Sequence, residues 1–165
     1  MTVHYGVIGC GMMGREHLAN IALMEDAVAS VIFEPDPDMA AAARAAAPQA
    51  ALAESVDALL AHDGLDCLLI ASPNHRHTDQ LRTIAGKVSL PILVEKPLFT
   101  DPDDLAAITA FRDSYAAPVW VAMEYRYMPP MQRFLDRVDL VTGGMRMLSI
   151  VEPVSYTHLT LPTKA

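Results

Sequence analysis

Short apolar runs alternate along the chain with longer segments in which apolar residues recur at helical spacing. Val3-His4-Tyr5-Gly6-Val7-Ile8 reads as a first strand, and residues 12–23 follow as a helix. A second strand over residues 28–33 leads to an alanine-rich helix over residues 39–47, which Pro48 stops. Ser55 caps a short helix to Leu60 that Gly64 closes. Residues 67–71 form an uninterrupted apolar run of strand length, as expected of a strand buried on both faces. A helix over residues 74–85 ends at Gly86, and Ile92-Leu93-Val94 is the next buried strand. Thr100, Pro102 and Asp103 make a capping-box-like start for a helix to about Tyr115, and residues 119–122 form another strand. This alternation predicts an α/β fold built on a doubly wound parallel sheet. Ligands of such sheets lie at the carboxyl ends of the strands.

The first strand runs directly into Gly9-Cys10-Gly11-Met12-Met13-Gly14, which opens the first helix. G-x-G-x-x-G between a strand and a helix is the dinucleotide-binding signature of Rossmann-type domains. Gly9 permits the tight turn, Gly11 lets the backbone approach a pyrophosphate, and Gly14 allows close packing of helix on strand. The pyrophosphate would rest on free N–H groups at the positive end of the helix. Glu34 ends the second strand, about twenty residues after Gly14, where the signature places an acidic residue. Its carboxylate can accept bonds from both adenosine ribose hydroxyls and repels a 2′-phosphate, which favours NAD over NADP. The alternative is that Glu34 only caps the turn made with Pro35-Asp36-Pro37.

Composition narrows the partners. A formal charge of −8 argues against nucleic acid and anionic membrane surfaces, and 165 residues suffice for one sizeable domain. No apolar stretch approaches a membrane span, and no basic segment followed by an apolar run opens the chain. Cys10 and Cys67 are the two cysteines, one in the glycine turn and one opening a buried strand. A disulfide between them is not expected, and a reducing cytoplasm is the default location. Of the six histidines, His75 and His77 are close in sequence, but their i, i+2 spacing turns the side chains apart and no acidic cluster joins them. No metal site is expected.

Three polar clusters follow predicted strands and so share one rim with the glycine turn: Ser72-Pro73-Asn74-His75-Arg76-His77, Glu95-Lys96-Pro97 and Glu124-Tyr125-Arg126-Tyr127. With the glycine turn in place, Pro73-Asn74-x-x-His77, Glu95-Lys96-Pro97 and Tyr125-Arg126-x-x-Pro129 occur in the order of one family. The chain resembles the glucose–fructose oxidoreductase/inositol dehydrogenase family (Gfo/Idh/MocA type). The resemblance implies NAD(P)-dependent hydride transfer at a carbinol carbon of a sugar, cyclitol or related polyol, in a homo-oligomeric enzyme. It implies that Ser72, Pro73, Asn74 and His77 line the cofactor groove beside Glu95 and Pro97, with Arg126 at the nicotinamide ribose or the substrate. It gives the catalytic role to Lys96, which would contact the nicotinamide ribose and the substrate hydroxyl, with a cis peptide before Pro97. A lysine there can orient the hydroxyl and stabilise a developing alkoxide. The alternative is a solvated Glu95/Lys96 pair. Glu124-Tyr125 stands where many members carry Asn.

Residues 1–122 are thus expected to form the dinucleotide-binding domain. Residues 123–152 should connect to the start of a second, α+β domain, with a helix containing Phe134, Leu135 and Val138, a stop at Gly143-Gly144 and a strand over residues 145–151. The resemblance places most of the substrate pocket and a proton-relay histidine in that second domain. The peptide Ser155-Tyr156-Thr157-His158-Leu159-Thr160-Leu161-Pro162-Thr163 matches a codon-by-codon reading of a transposon-end sequencing adapter. Residues 153–165 are accordingly expected to be an artefactual tail, and the chain a fragment that is inactive alone. A non-catalytic NAD-binding sensor is the competing reading, and Lys96 separates the two, since a sensor needs no lysine at a carbinol.

Overall fold

The computed structural model describes residues 1–142, which fall into two compact units, Met1–Met123 and the residues from Glu124 onward. The first unit holds six strands, β1 (Val3–Ile8), β2 (Ala27–Phe33), β3 (Ala51–Leu52), β4 (Cys67–Ile70), β5 (Ile92–Val94) and β6 (Val119–Val121). Its helices are α1 (Met12–Ala22), α2 (Pro37–Ala46), α3 (Val56–Leu60), α4 (His77–Ala85) and α5 (Leu105–Ser114). All strand pairs are parallel, in the order β3-β2-β1-β4-β5-β6. Strand order reverses between β1 and β4, so the crevice above their carboxyl ends is the switch point of the sheet.

The apolar runs are continuous because successive residues enter opposite cores. Ile8, Val31, Leu68 and Ile70 pack with Leu59, Leu81, Ile84 and Phe111 beneath α3, α4 and α5. Val7, Ile32 and Leu69 face the other way, onto Leu18 and Ile21 of α1 and Ala43 of α2. Ala43, with the partly buried Ala46, serves this second face, where a small side chain lets α2 lie close to the sheet. Each wholly buried Leu or Ile contributes roughly 1.5–3 kcal/mol of transfer free energy.

Three boundaries differ from expectation. Helix α2 starts at Pro37, because the Asp36 side chain caps it by accepting from the Asp38 and Met39 amides. The turn before α5 is capped by Asp101, not Thr100, with the Asp101 carboxylate accepting from the Asp103 amide and Pro102 in the first position. Gly64 (φ +77°) lies beyond the end of α3, which stops at Leu60 with Ala61 as its cap, so Gly64 shapes the loop into β4 instead of the helix end. Strand β3 was not anticipated, since two exposed residues paired with Val31 and Ile32 carry no periodicity. Ser55 caps α3 as expected, accepting from the Ala58 amide.

The second unit contains a 3-10 turn, Glu124–Tyr127, and helix α6 (Pro129–Thr142), on which Phe134 and Leu135 are exposed. The expected stop at Gly143-Gly144, the strand over residues 145–151, the tail and the side chain of Val138 lie outside the described residues. Among the described residues no helix is long and apolar enough to cross a membrane.

Candidate active site

The site starts from the glycine turn. Gly9 adopts φ +87°, a conformation that side-chain-bearing residues avoid, and a Cβ there would collide with the Ser72 backbone. A Cβ on Gly14 would collide with the Gly9 carbonyl, so α1 can leave the turn at this angle only without one. Gly11 differs: a Cβ there would meet nothing within 4 Å. The protein itself therefore does not require glycine at position 11, whereas a group lying against the turn would. No side chain caps the N-terminus of α1, which leaves its first N–H groups available to an anion.

A groove of about 870 Å³ opens over this turn, walled by Gly9, Gly11, Met12 and Met13 on one side and Ser72 and Pro73 on the other. Glu34 lies on the same wall system with Asp36 and Met39. Cys10 is not among the groove walls: its side chain is wholly buried, and its amide donates to Oε2 of Glu34 at 2.6 Å. Oε1 of Glu34 accepts from the Asp36 amide at 3.0 Å, so the turn-capping alternative is realised. It does not exhaust the group, because a carboxylate has about four lone-pair directions and two are used. Burial, with the Glu34 charge adding to it, pushes the Cys10 thiol up to about 12.

Past β4 the side chains do not all sit where the sequence suggested. Asn74 is exposed on a 3-10 turn, Asn74–Arg76, and is not among the groove walls, while its neighbours His75 and Arg76 are. His77, expected to line the groove, is fully buried. Its Nε2 lies 3.0 Å from the Ser72 carbonyl and its Nδ1 2.9 Å from the Pro97 carbonyl, so the ring sits between the backbones of two rim loops. Gln80 and Thr83, one and two turns along α4, also wall the groove, and Gln80 Oε1 accepts from the Ser72 hydroxyl at 2.6 Å. Helical spacing after the loop is the signal that would have found them.

At the end of β5, Glu95 is buried and not a solvated partner of its neighbour. Its Oε1 lies 2.8 Å from Nε2 of His17, a residue of α1. Lys96 and Pro97 are exposed, and the peptide between them is cis. Arg126 is exposed on the 3-10 turn of the second unit. Among the described residues no group of three or more His, Cys, Asp or Glu side chains is arranged to hold a metal, and Cys10 and Cys67 are free thiols.

The arrangement suits a dinucleotide on this chain's own geometry. It offers room at Gly11, an uncapped helix end, a fixed carboxylate with acceptor capacity left at one extremity and a lysine on the strand-end rim. Comparison with known proteins agrees. The model of the oxidoreductase family with an NAD-binding Rossmann fold matches residues 3–123. An inositol 2-dehydrogenase of Corynebacterium glutamicum (strain R) is 35% identical over 145 residues, covering 87% of this chain and 43% of that protein. A D-xylose 1-dehydrogenase (NADP(+)) of Haloferax volcanii is 28% identical over 141 residues, covering 86% and 43%. The crystal structure of myo-inositol dehydrogenase from Lactobacillus casei in complex with NAD(H) and myo-inositol shares the fold, with a TM-score of 0.76 at 23% identity over 85% of this chain and 42% of that one. The chain spans less than half the length of the curated relatives it matches.

Proposed function

The chain belongs to the oxidoreductase family with an NAD-binding Rossmann fold, and we propose that it is the cofactor-binding part of an NAD-dependent dehydrogenase for a polyol, sugar or cyclitol. The observation that carries the reading is Lys96 at the carboxyl end of β5, between a buried Glu95 and a cis-linked Pro97, on the rim that also bears the glycine turn. Relatives named for inositol and for D-xylose act on polyhydroxylated substrates, which supports that substrate class here.

When bound, the nicotinamide supplies the hydride acceptor or donor. The chain's own residues do the rest. Gly11 and the amides opening α1 receive the pyrophosphate, and Glu34 takes the adenosine ribose. Met12 and Met13, which line the groove at the start of α1, would lie beside the pyrophosphate. Lys96 orients the substrate hydroxyl and offsets negative charge developing on its oxygen. Arg126 is assigned to the nicotinamide ribose or the substrate. A second domain would complete the pocket and supply the proton-relay histidine, in a homo-oligomer.

Two measurements test the reading. Titration of this chain with NADH, followed by nicotinamide fluorescence, should show saturable binding. A longer protein that continues this sequence to the length of its relatives should then reduce NAD with myo-inositol or a pentose, read by nicotinamide absorbance. Absence of NADH binding by a folded chain would refute the cofactor assignment. Binding without turnover across a panel of cyclitols and sugars would favour the sensor reading instead.

A further inference from the structure

Lys96 is held through its backbone from two helices. The residue before it, Glu95, is 6% exposed, and both carboxylate oxygens are engaged. Oε1 meets Nε2 of His17 at 2.8 Å, and Oε2 accepts the backbone N–H of Lys96 itself at 3.2 Å. A carboxylate taken out of water this far is costly unless donors reach it, so His17 is part of what allows Glu95 to stay inside. The residue after it, Pro97, has its carbonyl 2.9 Å from Nδ1 of the fully buried His77, whose Nε2 faces the Ser72 carbonyl at 3.0 Å. Carbonyl oxygens only accept, so each contact is made by an imidazole N–H; a neutral ring serves one at a time and a protonated ring both.

The two histidines come from elements that also build the groove. His17 lies one turn beyond Gly14 on α1, and His77 opens α4, which carries Gln80 and Thr83 on the groove wall. We propose that His17 and His77 are positioning residues that brace Glu95-Lys96-Pro97 from α1 and α4. The brace sets the lysine's backbone against the glycine turn and the Ser72 wall before any ligand binds. Its purpose rests on the proposed role of Lys96; the brace itself is a property of the chain.

Amide hydrogen exchange on the 165-residue chain tests it. The Lys96 amide is followed beside that of Leu69, in the core of β4, as a reference for global folding. His17→Leu removes the donor to Glu95 and should speed exchange at Lys96 by more than about threefold while Leu69 stays protected. His17→Gln, which keeps an N–H at similar reach and cannot ionise, should return the rate to within about threefold of wild type. An unchanged Lys96 rate in a folded Leu variant, or a Gln variant as fast as the Leu variant, overturns the brace. Should the Leu variant lose Leu69 protection, the wild-type protein decides: the His17 Nε2 proton should appear as a slowly exchanging imidazole resonance, and its absence overturns the proposal. NADH titration of the same samples keeps the questions apart. Failure of the wild type to bind NADH refutes the cofactor reading and leaves the exchange result standing. Normal binding with unaltered Lys96 exchange refutes the brace alone.

Discussion

The amide of Cys10 donates to Oε2 of Glu34 at 2.6 Å, which fastens the carboxylate at the end of β2 to the middle of the glycine turn. The second oxygen is held by the Asp36 amide at 3.0 Å. The carboxylate is thereby fixed before ligand arrives, and its orientation costs nothing further on binding. Glu34→Ala should weaken NADH binding by about tenfold or more, the usual consequence of losing hydrogen bonds to a charged group. NADPH should lose much less, because the same substitution removes a repulsion from its 2′-phosphate. Parallel titrations of the two cofactors measure the ratio, and equal affinities in the wild type would take Glu34 out of this role.

Two glycines of the turn, Gly11 and Gly14, separate binding from folding. Gly14→Ala places a methyl against the Gly9 carbonyl and should lower stability or prevent folding outright, since backbone cannot move aside cheaply. Gly11→Ala meets open space. Its stability should fall by no more than about 1 kcal/mol, the scale of an N-cap change, while NADH affinity drops by about tenfold or more. Thermal melts beside NADH titrations distinguish the pair. A Gly11→Ala protein that binds NADH normally would mean that nothing approaches the turn at that position.

The alternation of strands and helices and the glycine turn were legible in the sequence because each rests on local chemistry. Runs such as Val7-Ile8 and Leu68-Leu69-Ile70 are continuous only in strands covered on both faces, and Gly9 is needed by its own φ. What escaped depends on contacts between distant segments. Nothing near His17 in sequence announces Glu95, 78 residues away, and nothing near His77 announces the Pro97 carbonyl. A motif histidine after a strand reads as a groove residue; its burial becomes visible only when α4 is laid beneath the loop. Helix starts were misjudged for a milder reason. Thr100 and Asp101 are adjacent candidate caps before Pro102, and the start of α2 is set by Asp36 before Pro37, ahead of the alanine run from which the helix was read.

Lys96 distinguishes an enzyme from a sensor. In the longer protein, Lys96→Ala should lower turnover by about a hundredfold or more, the scale of losing a group that moves a proton or steadies an alkoxide. NADH affinity should change by less than about threefold, because the residues proposed for the pyrophosphate and the adenosine ribose, Gly11 and Glu34, lie elsewhere on the rim. Steady-state kinetics with the best polyol substrate, together with NADH titration, supply both numbers. Near-normal turnover in the variant would reduce Lys96 to a surface lysine.

The two thiols give the chain a predictable alkaline limit. Burial is the main cause in both: it raises Cys10 from 9.0 to about 12, helped by the Glu34 charge, and Cys67 from 9.0 to about 11. A group whose proton is held more tightly in the folded state adds stability that is complete below the unfolded value. That stability is lost as pH rises towards the folded value. Denaturant midpoints should therefore decline from about pH 9 upward, through the interval between the unfolded value and those of the two thiols. Cys10→Ala removes the larger contribution and should make that decline shallower, whatever its effect on stability at neutral pH. Both cysteines should also resist maleimide at neutral pH in the folded chain, since a protonated thiol is a poor nucleophile. Identical alkaline slopes for wild type and Cys10→Ala, or rapid labelling of Cys10 without unfolding, would contradict the buried, protonated thiol beneath the glycine turn.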